Sequence, residues 1–160
     1  MSAANGFSIG EGQGHYVNAL APIDINVGAQ TSDAWTMAKH SHVSILLSCG
    51  VVGAATTLTL EQCTAADGTG AEAIGFSYYA ELTAGGDTTS ARTTVGASGF
   101  ATGTANGVYY TIELDASELS DGYPWLRVQL TDPGTATVAG IGAVLSGSRY
   151  AEVEALTAIV

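Results

Sequence analysis

The sequence predicts an all-β protein, a single antiparallel β-sandwich of jelly-roll or immunoglobulin-like type with about eight short strands and little helix. Three observations predict it. Segments rich in β-branched and aromatic residues alternate with a period of two, the mark of strands buried on one face. Turn-forming clusters separate them: Asp67-Gly68-Thr69-Gly70, Gly85-Gly86-Asp87, Asn106-Gly107, Asp121-Gly122 and Asp132-Pro133-Gly134. Helical signal is confined to Ala116–Leu119, with a weaker, glycine-interrupted candidate in Ala65–Ile74. A length of 160 residues suits one domain. The expected division is a flexible Gly-rich arm over 1–14 and a sandwich over 15–160 that ends in an apolar tail.

Each element follows in order. Ile23, Ile25 and Val27 share one face of a first strand, and Trp35 and Met37 share a face of a second. Val43–Leu47 is apolar almost throughout. Thr56–Cys63 sets Leu58, Leu60 and Gln62 against Thr57, Thr59 and Glu61. Phe76, Tyr78, Ala80 and Leu82 alternate less cleanly. Val108–Asp115 places Tyr110, Ile112 and Leu114 opposite Tyr109, Thr111, Glu113 and Asp115. Trp125–Thr131 places Leu126, Val128 and Leu130 opposite Arg127 and Gln129. Val138–Leu145 is a small-residue strand containing Gly140 and Gly142. The SELSDGYP segment ending at Pro124 reads as a corner, with Tyr123 and Trp125 over one end of the core.

Charge limits the partners. Four Lys and Arg face 15 Asp and Glu, for a formal net charge of -11. Such a surface is repelled by phosphate backbones and by anionic lipid, so neither nucleic acid nor membrane is an expected partner. Hydrophobic residues at 46% against 12% charged exclude a disordered chain. No apolar run approaches the ~18 residues of a membrane span. The opening residues lack the basic and apolar regions of a signal peptide.

Cys49 and Cys63 are expected as free thiols. If His42–Cys49 and Thr56–Cys63 form a hairpin, Cys49 lies opposite Thr56 and Cys63 opposite His42. The sulfurs then stand about 20 Å apart at ~3.4 Å per residue, beyond disulfide reach. The reasoning lapses if the two segments belong to different sheets. Free thiols fit a protein made in a reducing cytoplasm.

No catalytic, cofactor or metal set is expected. His40 and His42 share a strand face but lack a third ligand at a metal spacing, and read as ordinary surface or edge histidines. Glu113 and Asp115, about 7 Å apart along one face, have the residue types of a glycosidase pair but no substrate subsite around them. Asp67–Glu72 lacks the alternating acids of a calcium loop. The glycine pairs of Gly10–Gly14 open no helix and precede no lysine, unlike a phosphate loop. Ser146-Gly147-Ser148 has no His and Asp partners. Arg127 is expected near Glu113 across a sheet. Tyr78-Tyr79 and Tyr109-Tyr110 supply aromatics that stack on sugars where exposed, so a glycan remains a possible ligand; otherwise one tyrosine of each pair is core and the other meets a partner.

Several strings resemble small structural proteins of tailed bacteriophages and prophages, of the kind encoded near the major capsid protein. They are GQGHYVNALAPIDI, HVSILLSCGVVGAATTLTLEQCTAADGTGAEAIGFSYYAE, GDTTSART, YYTIELDASELSDGYPWLRVQLT and AVLSGSRYA. The resemblance implies a non-enzymatic virion protein that decorates or cements the outside of the head. Its implied partners are the major capsid protein lattice and copies of itself, as a homo-oligomer and often a trimer. Tail or head-fibre use is the neighbouring reading, and a carbohydrate-binding sandwich the alternative. The residues expected at interfaces are Gly12 and Gly14 of the arm, His15 and Tyr16 just after it, the scarce cations Arg92, Arg127 and Arg149, and Tyr150, Leu156, Ile159 and Val160 towards the C-terminal end.

Overall fold

The computed structural model of the chain describes Ile9, residues 14–149, Ala158 and Ile159. It is an all-β sandwich of twelve strands: β1 (Gly14–Asp24), β2 (Gln30–Thr31), β3 (Trp35–Thr36), β4 (His40–Val52), β5 (Thr57–Cys63), β6 (Glu72–Ile74), β7 (Phe76–Glu81), β8 (Thr93–Val95), β9 (Phe100–Ala101), β10 (Val108–Asp115), β11 (Trp125–Leu130) and β12 (Thr137–Ser148). The Ala116 turn is a 3-10 helix, Ala116–Glu118. The four strands beyond the eight or so expected, β2, β6, β8 and β9, are pieces of two or three residues, too short to carry a readable period.

The large sheet runs β1-β12-β4-β10-β7-β8. The second runs β2-β11-β5-β6, with β3 on β11 and β9 on β5. Four antiparallel pairings are nested: β1 with β12, β2 with β11, β4 with β10 and β5 with β6. A chain paired in this way is one long hairpin with its tip between β5 and β6. It is rolled so that its first and third pairs lie in one sheet and its second and fourth in the other. That path is a jelly roll, which decides between the two sandwich types the sequence leaves open. β7 and β8 extend the large sheet past β10.

The core lies between the sheets. Val43, Ile45 and Leu47 of β4, Ile112 and Leu114 of β10, and Ile141 and Leu145 of β12 meet Leu58 and Leu60 of β5 and Leu126, Val128 and Leu130 of β11. Trp35 and Met37 are fully buried at one end. The other edge is closed by aromatics: Tyr78 stacks on Phe100 with centroids 4.0 Å apart, and Phe100 lies 5.2 Å from Tyr110. Full burial of each such side chain stabilises by about 1.5–3 kcal/mol.

Three expectations change, and one residue of the expected apolar tail is placed. The first strand begins at Gly14 rather than near Ile23, because pairing with β12 outweighs the glycine content that reads as a linker. β1 ends at Asp24, so the expected alternation does not run through Ile23–Val27: Ile25 is buried while Ile23 and Val27 face solvent. The segments bearing Cys49 and Cys63 are not a hairpin. The chain crosses from the large sheet to the second between β4 and β5, yet both thiols are free and buried. Finally, Ile159 packs on the chain's own core, and the Ala158 carbonyl accepts a hydrogen bond from Thr36 N–H at 3.0 Å.

Candidate functional site

The outward face of the large sheet brings together the chemistry that the chain scatters. Cross-strand register sets its rows: Tyr16, Val144, Ser44, Glu113 and Ser77 in one; Asn18, Gly142, Leu46, Thr111 and Tyr79 in the next; then Gly140, Ser48, Tyr109 and Glu81. The face divides into an uncharged half over β1 and β12 and a charged half over β4 and β10.

The uncharged half holds a shallow groove of about 230 Å³ whose lining includes Tyr16, Leu20, Pro22, Leu46 and Tyr109 and, among the described residues, no charged one. Its floor is Gly140 and Gly142. Both glycines are required by close approach: a Cβ on Gly140 would come within 2.9 Å of the Pro22 ring, and one on Gly142 within 2.7 Å of the Tyr16 hydroxyl. Tyr16 therefore lies across the backbone of β12, and the rest of its surface faces water. Tyr16 and Tyr109 are 55% and 50% exposed, unusual for large aromatics away from a partner. Tyr110, by contrast, is core, with its hydroxyl accepting the Gly103 N–H at 2.7 Å. Of the Tyr109-Tyr110 pair, one ring is core and the other exposed. Tyr78 is taken up by the Phe100 stack, and Trp35 is buried and Trp125 half-buried, so none of these offers an open stacking face.

The charged half is a concavity of about 170 Å³ lined by His42, Tyr79, Arg92, Glu113, Asp115 and Glu118. His42 is not an ordinary surface histidine. Its Nε2 lies 2.8 Å from Glu113 and its Nδ1 2.8 Å from Asp115. Ser44 Oγ donates to the same Glu113 oxygen at 2.7 Å. Burial lowers the His42 pKa, but the hydrogen bonds to Asp115 and Glu113 and their negative charges outweigh it, so the pKa is raised above 6.5. Glu113 and Asp115 do share a face and a hollow, with the His42 ring in contact with both. His40 parts from His42: it is buried and stacks on His15 at 6.2 Å, and its pKa is lowered, first by burial and then by the charges of His15 and Lys39. Among the described residues no group of three or more His, Cys, Asp or Glu could hold a metal ion.

Arg127 does not meet Glu113. The two stand on opposite sheets, and Arg127 Nε instead donates to Glu61 Oε2 at 2.6 Å, directly across β11 and β5. Arg92 and Arg149 are exposed and make no ion pair among the described residues. Arg149 borders a hollow of about 310 Å³ at the corner formed by Leu119, Tyr123 and Pro124. Gly14 and His15 are half-buried in β1. Gly12, Tyr150, Leu156 and Val160 lie outside the described residues. In the Asp67 turn the carboxylate accepts the Thr69 N–H at 2.9 Å, while Glu72 accepts from Gln62 at 3.3 Å, so the two acids have separate partners. No helix among the described residues is long and apolar enough to cross a membrane.

The groove and the His42 cluster escaped sequence reasoning because both depend on strand neighbours far apart in the chain. The available signal was the pair of polar residues His42 and Ser44 on the outward face of an otherwise apolar strand.

Comparison with known proteins finds no family model that matches the chain, and no similar curated protein or solved structure.

Proposed function

We propose that the chain is a non-enzymatic structural protein of a virion, a decoration or cement subunit that docks on the outside of a tailed-phage head. The uncharged half of the large sheet carries this reading. In a chain of net charge -11, a face with two half-exposed tyrosines and no charged lining residue among the described ones is the surface on which a partner can settle without charge repulsion. Two supports are weaker. The strings quoted above resemble such proteins, and jelly rolls serve as virion domains, although a fold by itself decides no function. The partners in this reading are the capsid lattice and further copies of the chain, with a trimer as the expected oligomer. Light scattering of the purified protein, and its co-sedimentation with particles assembled from the neighbouring capsid protein, test the proposal. Leu46→Glu and Tyr109→Glu should abolish co-sedimentation while leaving the circular dichroism unchanged. Co-sedimentation that survives both substitutions rejects this face as the docking surface.

One observation favours a second reading, a carbohydrate-binding module. The groove between Tyr16 and Tyr109 has the size of a single sugar ring, with the Asn18 and Ser48 side chains beside it. A glycan array separates the two: hits lost in Tyr16→Ala and Tyr109→Ala support the module, and a blank array removes it.

A further inference from the structure

A neutral imidazole has hydrogen on only one ring nitrogen, and an ionised carboxylate only accepts hydrogen bonds. Both ring nitrogens of His42 face carboxylate oxygens at 2.8 Å. Both contacts are hydrogen bonds only while the ring holds two protons. We propose that His42 is a proton-dependent clasp: doubly protonated, it ties the end of β10 to β4 on the outward face, and on losing one proton it releases Asp115.

The geometry says which side opens. Glu113 is 34% exposed and is also held by Ser44, whereas Asp115 is 63% exposed. A singly protonated ring therefore keeps Nε2–H on Glu113 and turns a lone pair toward Asp115, the more exposed of the two carboxylates, so that contact is the one lost. Asp115 starts the 3-10 turn, and its backbone N–H donates to Glu118 Oε2 at 2.8 Å. Its release loosens the Ala116–Glu118 corner. Every titratable or charged group around the hollow takes part: Glu113 and Asp115 from β10, Glu118 from the turn, Tyr79 from β7 and Arg92 from the segment before β8. On β12 the residue opposite His42 is Ser146, which carries no charge. Once His42 is neutral, Arg92 is the sole cation among the described residues lining a hollow that holds three carboxylates. The hollow then becomes more negative.

The direction with pH follows from linkage. A group whose pKa is raised by folding contributes stability that is fully present below its unfolded value and is lost as pH rises through the folded one. The clasp is closed in mild acid and opens toward alkaline pH.

Histidine ring resonances followed by NMR across pH, together with amide exchange, test the proposal. His42 should deprotonate above 6.5. Glu113→Gln and Asp115→Asn should each bring that midpoint down. Exchange at Ala116–Leu119, corrected for base catalysis, should rise several-fold as His42 titrates in the unmodified protein. A His42 midpoint at or below the ordinary value overturns the clasp, as does a midpoint unmoved by both substitutions. Exchange that ignores the titration overturns the release of the corner. The wild-type titration alone is decisive if a variant fails to fold.

Discussion

Glu61 and Arg127 face each other across β5 and β11 at 2.6 Å, with side chains only 15% and 22% exposed. The guanidinium also covers Gly68 in the following turn, where a Cβ would collide with it. This pair joins a strand, its neighbour and a turn, and it is shielded from water more than most surface pairs.

Arg127→Ala should therefore destabilise the fold by about 1–3 kcal/mol, more than the median exposed pair. Urea denaturation of Arg127→Ala, Glu61→Ala and the double variant measures the coupling. A double variant that costs the full sum of the singles would show the pair to be energetically idle.

Gly140 and Gly142 should differ although they sit two residues apart in β12. Alanine at Gly140 meets the rigid Pro22 ring and its backbone nitrogen, whereas alanine at Gly142 meets the end of a tyrosine that can swing outward. Gly140→Ala should cost about 1–3 kcal/mol, as overpacking does. Gly142→Ala should cost less but should tilt Tyr16. Thermal melts rank the two, and tyrosine fluorescence reports the displaced ring.

Both cysteines should resist thiol reagents in the native state. Burial pushes the Cys49 thiol up to about 11, and burial also raises Cys63. The thiolate is the nucleophile, so a high pKa and burial act in the same direction. Ellman titration should find no fast thiol in buffer and both Cys49 and Cys63 in denaturant. A rapid native reaction at either would contradict their placement.

His40 should make the fold acid-sensitive. Burial depresses its pKa below 6.5, so the unfolded chain takes up a proton before the folded chain does. Stability is complete above the unfolded value and is lost as pH falls through the folded one. Denaturant midpoints from pH 7.5 to 4.5 should fall less steeply in His40→Gln than in the unmodified protein.

Local pattern carried much of this architecture. The alternation of Leu58 and Leu60 with Thr59 and Glu61, and of Ile112 with Glu113, names the inward face of each strand, because one face of a half-buried strand must be apolar. The jelly roll itself was not legible, since hydrophobic pattern says which face is buried but not which strand lies alongside. That limit accounts for Arg127, whose partner depends on β11 neighbouring β5 rather than β10. It accounts equally for His42, some seventy residues from the acids it binds. The Tyr16 groove was hidden in the same way, and further because its strand begins at Gly14, the last glycine of what reads as a flexible arm, where β12 supplies a paired backbone.

The nested hairpin also sets a timetable for synthesis. β12 occupies the slot between β1 and β4, and it is made after every other described strand. Until it emerges, β1 has no neighbour in the large sheet and one side of β4 is bare. Unpaired edges of this kind recruit other chains. The nascent protein therefore carries its greatest aggregation hazard late in translation, and premature termination within β12 should produce insoluble chains rather than a smaller sandwich.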